Sequence, residues 1–239
     1  MRSIVYAGND FSDFCSAEVV ERSANPIIAE YMAVPGRAGA LLVSCYIPPV
    51  DVTVRLYLDP GYRPGPGGMA QLRAKLRSWL CWPGGGNLIL PDDPEIEYVD
   101  AMLVGAGNWS DLFESGKCEL TFTLFDPIGY GMERVERTTS FNVDGTWPTL
   151  PEIRLVAAAG SYLQVTLPSA GKGIRIEYDF VGGEAVVIDC AGETVEIDGA
   201  DARDTVALAS DFFSLDPGDV AISVSGCSYV ETRFTERWA

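Results

Sequence analysis

The segment "ELTFTLFDPIGYG", residues 119–131, changes from one local pattern to another. Over residues 120–125 apolar side chains alternate with threonines, and a period of two is typical of a β-strand. Asp126-Pro127 and Gly129-Tyr130-Gly131 then bring together residues that favour turns. We therefore expect a strand over 117–125 that ends at this turn and is the last core strand of an N-terminal domain.

Short stretches of the same kind recur along most of the chain, which predicts a mostly all-β protein built from β-sandwiches. The predicted strands are 4–6, 41–47, 50–58, 88–90, 96–104 and 117–125, followed by 152–156, 162–167, 173–180, 185–190, 194–197, 220–224 and 229–234. One segment differs, because its apolar residues have helical spacing: Met69, Leu72, Leu76, Trp79 and Leu80. It predicts a single helix over about 69–82, ended by Pro83 and three glycines.

The polar run "ERVERTTS", residues 133–140, contains no apolar cluster large enough for a core, and a strand pattern restarts after it. We expect a domain boundary there. The prediction is an N-terminal domain at 1–138, a β-sandwich with the helix, and a C-terminal β-sandwich at 139–239.

Composition excludes several classes of function. The net charge of −17 disfavours nucleic-acid binding, since phosphate backbones repel an acidic surface. The chain has no histidine, so Ser-His-Asp triads, Cys-His pairs and His-ligated metal sites are impossible. No apolar run is long enough for a membrane helix and no signal peptide is evident, so we expect a protein made in the cytoplasm. Its six widely spaced cysteines form no CxxC motif, and we expect reduced, mostly buried thiols.

Several polar and aromatic clusters are candidate sites, each with an ordinary alternative. Arg73, Lys75 and Arg77 gather positive charge on the helix and could dock an acidic surface of a neighbouring subunit. Two acidic clusters could in principle hydrolyse glycosides or bind Ca²⁺, although solvated turns are the favoured explanation: Asp92, Asp93, Glu95 and Glu97, and Asp198, Asp201 and Asp204. Trp109, Trp147 and Trp238 could stack on sugars or anchor an interface. No catalytic, cofactor or metal site is predicted.

The order of these features resembles a known family. "GNDFSDF" (8–14), "VPGRAGAL" (34–41), "LRSWL" (76–80), "NLILPDDPEIEYVDAMLVG" (87–105) and "GKCELTFTLFDPIGYG" (116–131) follow one another as in the distal tail proteins of siphoviruses. In the second half, "NVDGTWPTLPEIRL" (142–155) and the segment 186–226, including "DFFSLDPGDVAI" (211–222), resemble the family's C-terminal domain.

The resemblance implies a non-enzymatic virion protein of a phage or prophage, assembled in the bacterial host cytoplasm and located at the tail tip. Such proteins form a hexameric ring that joins the tail tube to the baseplate, the tail-associated protein and the receptor-binding proteins. The C-terminal sandwich would be galectin-like, and no cofactor or membrane insertion is implied. Two other functions stay open at this stage. One is a carbohydrate-binding module that contacts the host cell wall; the other is a glycoside hydrolase using the acidic cluster at 92–97.

Overall fold

The computed structural model describes residues 2–24, 26–62, 68–81, 84–107 and 111–239. Strands dominate it, as the alternating pattern predicts. The chain divides into two compact units: Met1–Tyr130 with Ala239, and Gly131–Trp238. This division falls within a strand rather than after Thr138. Because compact packing does not by itself show independent folding, the domain boundary at 138/139 remains a prediction.

The first unit contains one substantial helix among its strands. In chain order its elements are β1 (Val5–Tyr6), β2 (Asn9–Asp10), β3 (Cys15–Arg22), β4 (Ile28–Ala33), β5 (Ala40–Tyr46), β6 (Val50–Leu58), α1 (Gly68–Leu80), β7 (Gly86–Ile89), β8 (Glu97–Gly105), α2 (Asp111–Glu114) and β9 (Lys117–Leu124). Strand β10 (Gly129–Glu136) runs across the division between the units. Seven strands join in one sheet, in the order β2-β1-β7-β8-β9-β6-β3.

Alternation in β9 determines which side of the sheet is the core. Leu120, Phe122 and Leu124 are buried on one face, opposite buried valines of β6, and Val52 pairs with Phe122. Threonines fill the other face, where the hydroxyls of Thr53 and Thr121 lie 3.2 Å apart. The sheet is therefore apolar on one side only, which is common in antiparallel sheets.

The turn after β9 is built as its sequence predicts. The carboxylate of Asp126 accepts a hydrogen bond from the backbone N–H of Ile128 (3.1 Å) and another from the Tyr130 hydroxyl (2.7 Å). Both bonds hold the chain in a tight reversal of the Asx type. The polar residues 133–136 nevertheless form a strand, because β10 continues to Glu136 and pairs with β20 (Cys227–Trp238). Backbone pairing holds these exposed polar residues in a strand without apolar burial.

Helix α1 covers the apolar side of the first sheet. Leu72, Leu76 and Leu80, each four residues apart, are buried among the sheet residues. Trp79 packs beside them, 5.2 Å from the ring of Phe11. The helix predicted at about 69–82 ends two residues earlier, at Leu80; Trp82 and Pro83 lie outside the described residues.

The second unit is a β-sandwich around one core. Besides β20 its strands are β11 (Ser140–Val143), β12 (Glu152–Ala157), β13 (Leu163–Leu167), β14 (Lys172–Ile176), β15 (Ala185–Asp189), β16 (Thr194–Ile197), β17 (Ala200–Asp201), β18 (Gly218–Ala221) and β19 (Ser223–Ser225), with a 3-10 turn at Arg203–Thr205. One layer runs β17-β16-β15-β12-β20; β14-β13-β19 and the pair β11-β18 supply the other strands. Alternate residues of these strands bury a shared core, which is the pattern of a two-sheet sandwich: Ile153, Leu155, Leu163, Val165, Ile174, Ile176, Val186 and Ile188.

Candidate assembly surface

A hairpin of the first unit exposes an unusual amount of apolar surface. Among the described residues, strands β4 and β5 pair only with each other, and every residue of both is exposed. Tyr31, Leu42 and Val43 are 73, 66 and 63% exposed. An isolated two-stranded hairpin is marginally stable in water, and exposed apolar patches of this kind mark interaction sites. We call residues 28–46 the hairpin arm; at about 3.4 Å per residue, its six-residue strand β4 alone is roughly 20 Å long.

An ion cluster surrounds Arg22 at the end of β3, six residues before the hairpin arm. Arg22, the last residue of β3, donates hydrogen bonds to Asp93 (2.9 Å), to both carboxylate oxygens of Asp92 (3.1 and 3.2 Å) and to the Tyr98 hydroxyl (3.1 Å). The guanidinium also lies 5.7 Å from the centre of the Tyr98 ring. Burial is the largest influence on Tyr98 and raises its pKa. Asp92 and Asp93 therefore anchor the end of β3.

Three of the remaining candidate acids also have local partners, while Glu95 and Asp204 are exposed. Glu97 accepts a hydrogen bond from the Asn87 side chain, and Asp198 accepts one from the backbone N–H of Ala185. Asp201 binds the guanidinium of Arg203, which lowers the pKa of that carboxyl. In the described ranges no group of three or more Cys, Asp and Glu side chains is placed to share a metal ion. The contacts found here are those of turns and ion pairs.

The three predicted cations of α1 do not act as one patch. Lys75 lies over the rings of Trp79 and Phe14, with its Nζ 4.4 and 5.6 Å from their centres. Arg73 lies on a different side of the helix, 4.6 Å above the Phe113 ring. Arg77 is one helical turn from Arg73 and shares its side. Within the described residues, none of the three cations forms an ion pair.

Arg73 and Arg77 border an apolar groove of about 590 Å³, which we call the α1 groove. Its floor and walls come from the helix and from the end of β8: Ala74, Leu80, Cys81, Leu103 and Ala106. Leu80 is buried, whereas Leu103 and Ala106 are half-buried. The structure thus combines two of the predicted site residues with apolar surface that the helix pattern did not reveal.

Trp147 and Trp238 are less exposed than the large apolar side chains of the hairpin arm. Trp147 is 36% exposed, and its backbone N–H donates to the Arg237 carbonyl. Trp238 is half-buried at the end of β20, and Trp109 lies outside the described residues. No helix in the described part of the chain has the length and apolar character needed to cross a membrane.

A charge network crosses the outer face of β20 in the second unit. Glu231 is 5% exposed and accepts hydrogen bonds from Arg233 (2.8 Å), Arg137 (3.1 Å) and the Tyr229 hydroxyl (2.9 Å). Hydrogen bonds from Arg233 are the largest influence, and together these contacts lower the pKa of Glu231 to about 2. The network links β20 to the segment after β10.

We expect the Glu231 network to stabilise the second unit in a pH-dependent way. The carboxyl titrates near 4.5 when unfolded and near 2 when folded, so its contribution is complete above about pH 4.5 and is lost as the pH falls toward 2. Urea unfolding of wild type and Glu231→Gln at several pH values checks this. The wild type should be the more stable at pH 7, and its advantage should shrink between pH 4.5 and 2. An equal difference at pH 7 and pH 2.5 would contradict the assignment.

The six cysteines differ in accessibility, and all are free. Cys15, Cys118 and Cys190 are buried; burial raises the pKa of Cys15 and Cys118 to about 12 and that of Cys190 to about 11. Cys45 on the hairpin arm and Cys81 in the α1 groove are exposed. The expectation of mostly buried thiols therefore fits three of the six.

Thiol labelling should reproduce this difference. Thiolate is the reactive form, so exposed thiols react before buried thiols whose pKa is raised. With a maleimide under native conditions and at low protein concentration, we expect Cys45 and Cys81 to be modified first, as read by peptide mass spectrometry. Equal labelling rates at Cys15 and Cys45 would contradict the burial pattern.

Comparison with known proteins matches the fold and part of the sequence to phage tail components. The family model for the siphovirus-type tail component, C-terminal domain, matches residues 144–238. The distal tail protein of Bacillus phage SPP1 is 30% identical over 109 residues, an alignment spanning 42% of this chain and 43% of that protein. The chain therefore aligns with less than half the length of this relative.

Likeness in structure extends further along the chain. The crystal structure of SPP1 Dit, described as a paradigm of hub adsorption apparatus in phages that infect Gram-positive bacteria, has a TM-score of 0.76 to this chain. That match covers 99% of both chains at 20% identity, so it shows a common fold. A chain of the phage P2 baseplate has a TM-score of only 0.43 at 9% identity. Residues 144–238 thus match the C-terminal domain of siphovirus-type tail components, and the whole chain shares the fold of SPP1 Dit.

Proposed function

We propose that this protein is a structural component of a phage tail tip and forms a hexameric ring there. The ring is an adaptor between the tail tube on one face and the baseplate, tail-associated and receptor-binding proteins on the other. This role is structural rather than enzymatic. The match of residues 144–238 to a siphovirus-type tail component and the fold shared with SPP1 Dit, described as a hub of adsorption apparatus, support it.

The observation that carries the proposal is the hairpin arm. A protein of net charge −17 is otherwise well suited to remain dispersed, yet it exposes a continuous apolar arm on both faces. Burying apolar surface against a partner stabilises the contact by roughly 25 cal/mol per Å². An arm of this composition therefore favours a permanent partner. In a homo-oligomer that partner is a neighbouring copy, and a contact between unlike surfaces generates a ring when its rotation closes.

The two predicted domains have different roles in this proposal. The N-terminal domain, 1–138, forms the ring through its hairpin arm. The C-terminal domain, 139–239, is a galectin-like sandwich that holds the receptor-binding machinery. Its stable core and the charge network of Glu231 suit a scaffold that bears load during adsorption. The protein is made in the host cytoplasm and resides at the virion tail tip.

Sedimentation velocity over a concentration series tests the assembly. The chain has a mass of 25.8 kDa, so a hexamer has a mass of about 155 kDa. We expect the sample to shift from the monomer to a single species of that mass as concentration rises, without a broad distribution of larger ones. A folded protein that stays monomeric through the highest soluble concentration would count against self-assembly, as would a stable dimer.

A further inference from the structure

The α1 groove is a surface for which nothing described so far provides an occupant. Resting on the proposed ring, we propose that the α1 groove receives the hairpin arm of a second copy of this chain. The contact is heterologous, since arm and groove are different surfaces of the same unit. One arm and one groove per copy give each subunit two neighbours, which is the arrangement of a closed ring.

Shape and polarity of the two surfaces agree. The arm is a protruding strand pair whose exposed residues are large and apolar, including Tyr31, Met32 and Leu42. The groove is a concave surface with Leu80 at its floor and Leu103 and Ala106 on its wall. Interface cores typically consist of aromatic, Met and aliphatic anchors seated in such depressions.

The charges of the arm and of the groove are complementary and orient the arm in the groove. Glu30 is the only charged residue in β4 and β5, and its carboxylate accepts a hydrogen bond from the Ser44 hydroxyl (2.9 Å). Arg73 and Arg77 stand at the border of the groove and form no ion pair within the described residues. A carboxylate on the arm therefore meets two guanidinium groups at the groove, and Arg binds carboxylates with well-defined geometry.

The chain carries native probes for this contact. Cys45 lies on the hairpin arm and Cys81 lines the α1 groove; both are exposed, whereas Cys15, Cys118 and Cys190 are buried. At a ring-forming concentration, a short flexible bis-maleimide should join Cys45 of one copy to Cys81 of the next. We expect a ladder of covalent species up to the hexamer on a denaturing gel.

Single Cys variants separate the possible contacts. Cys45→Ser and Cys81→Ser should each abolish the ladder, because each lacks one of the two thiols. An equal mixture of the two variants should give covalent dimers and nothing larger, since each subunit then has one of the two thiols. Cys227 is partly exposed, so all of these variants also carry Cys227→Ser. In that background, dimers formed by Cys81→Ser alone would show arms paired with arms and would overturn the proposal.

Charge reversal gives a second readout that does not depend on thiol geometry. Arg73→Glu combined with Arg77→Glu should raise the concentration for half-assembly by at least about tenfold, and so should Glu30→Arg. Combining all three changes should recover a large part of the loss. Lys75→Glu is the matched control on the same helix, and assembly should be unchanged because Lys75 lies over Trp79, away from the groove.

The outcomes distinguish the groove from the ring. Suppose that sedimentation shows the hexamer, but no crosslink depends on both thiols and the triple charge variant does not recover assembly. The groove would then not be the acceptor of the arm, while the proposed function would stand. Failure of the wild type to assemble at all would contradict the proposed function itself, and the groove contact with it.

Discussion

Replacing Tyr31 and Leu42 with aspartate is expected to abolish ring formation while leaving the monomer folded. Both side chains are mostly exposed in the monomer, at 73 and 66%, so the change leaves the core intact, although two aspartates on this cross-strand pair also weaken the hairpin itself. In an assembled interface each buried large apolar side chain contributes about 1.5–3 kcal/mol, and each aspartate there adds an unpaired buried charge. The concentration for half-assembly should therefore rise by at least about 100-fold, since each ~1.4 kcal/mol is a factor of ten.

Leu208→Asp is the matched control for this double variant. Leu208 is a fully exposed apolar residue of the second unit and is not part of the hairpin arm. Its replacement should leave the sedimentation profile at that of wild type. Circular dichroism and thermal melting should match in all three proteins. Normal assembly of the Tyr31, Leu42 double variant would show that the hairpin arm is not the ring contact.

The largest effect on stability is expected from Gly145→Ala in the second unit. Gly145 has a φ of +110°, and a Cβ there would lie 2.3 Å from the Arg237 carbonyl oxygen. That oxygen accepts hydrogen bonds from the backbone N–H groups of Thr146 (2.9 Å) and Trp147 (3.1 Å). The backbone strain costs about 1–3 kcal/mol, and displacing the carbonyl weakens two bonds worth roughly 1 kcal/mol each. We expect a total loss of about 3–5 kcal/mol in the free energy of unfolding.

Gly218→Ala isolates the steric part of that loss. Gly218 has nearly the same φ, +109°, but nothing lies within 4 Å of a Cβ built there. Gly218→Ala should therefore lose stability through backbone strain alone. In urea unfolding it should be more stable than Gly145→Ala by about 2 kcal/mol. If the two alanine variants unfold at the same urea concentration, the close approach of Gly145 to β20 is not a determinant of stability.

Residue patterns predict the fold well wherever one face of an element is buried. The alternation of β9, β12 and β13 is visible in the sequence because apolar burial imposes it. The residue pattern predicts neither β3 nor β4, and it predicts a domain boundary where β10 continues to Glu136. In β4 all six residues are exposed, so this strand depends on backbone pairing rather than on side-chain burial. Such strands leave little periodic signal.

The candidate site was only partly visible in sequence. Their charge indicates Arg73 and Arg77 as candidate interface residues. The apolar groove beside them, however, depends on Leu103 and Ala106, about 30 residues away in the sequence. The sequence pattern places Lys75 in the same charged group, although the helix directs its side chain toward Trp79. The hairpin arm had a usable signal, since Pro35-Gly36 separates two apolar runs in the manner of a hairpin turn. What no pattern indicates is that both faces of that hairpin are exposed.

Electron microscopy of the purified protein at a ring-forming concentration tests the central claim most directly. The account predicts closed particles with six-fold symmetry and a central hole, in which the hairpin arm of each subunit lies against its neighbour. Two-fold dimers, open filaments or particles without a central hole would contradict it.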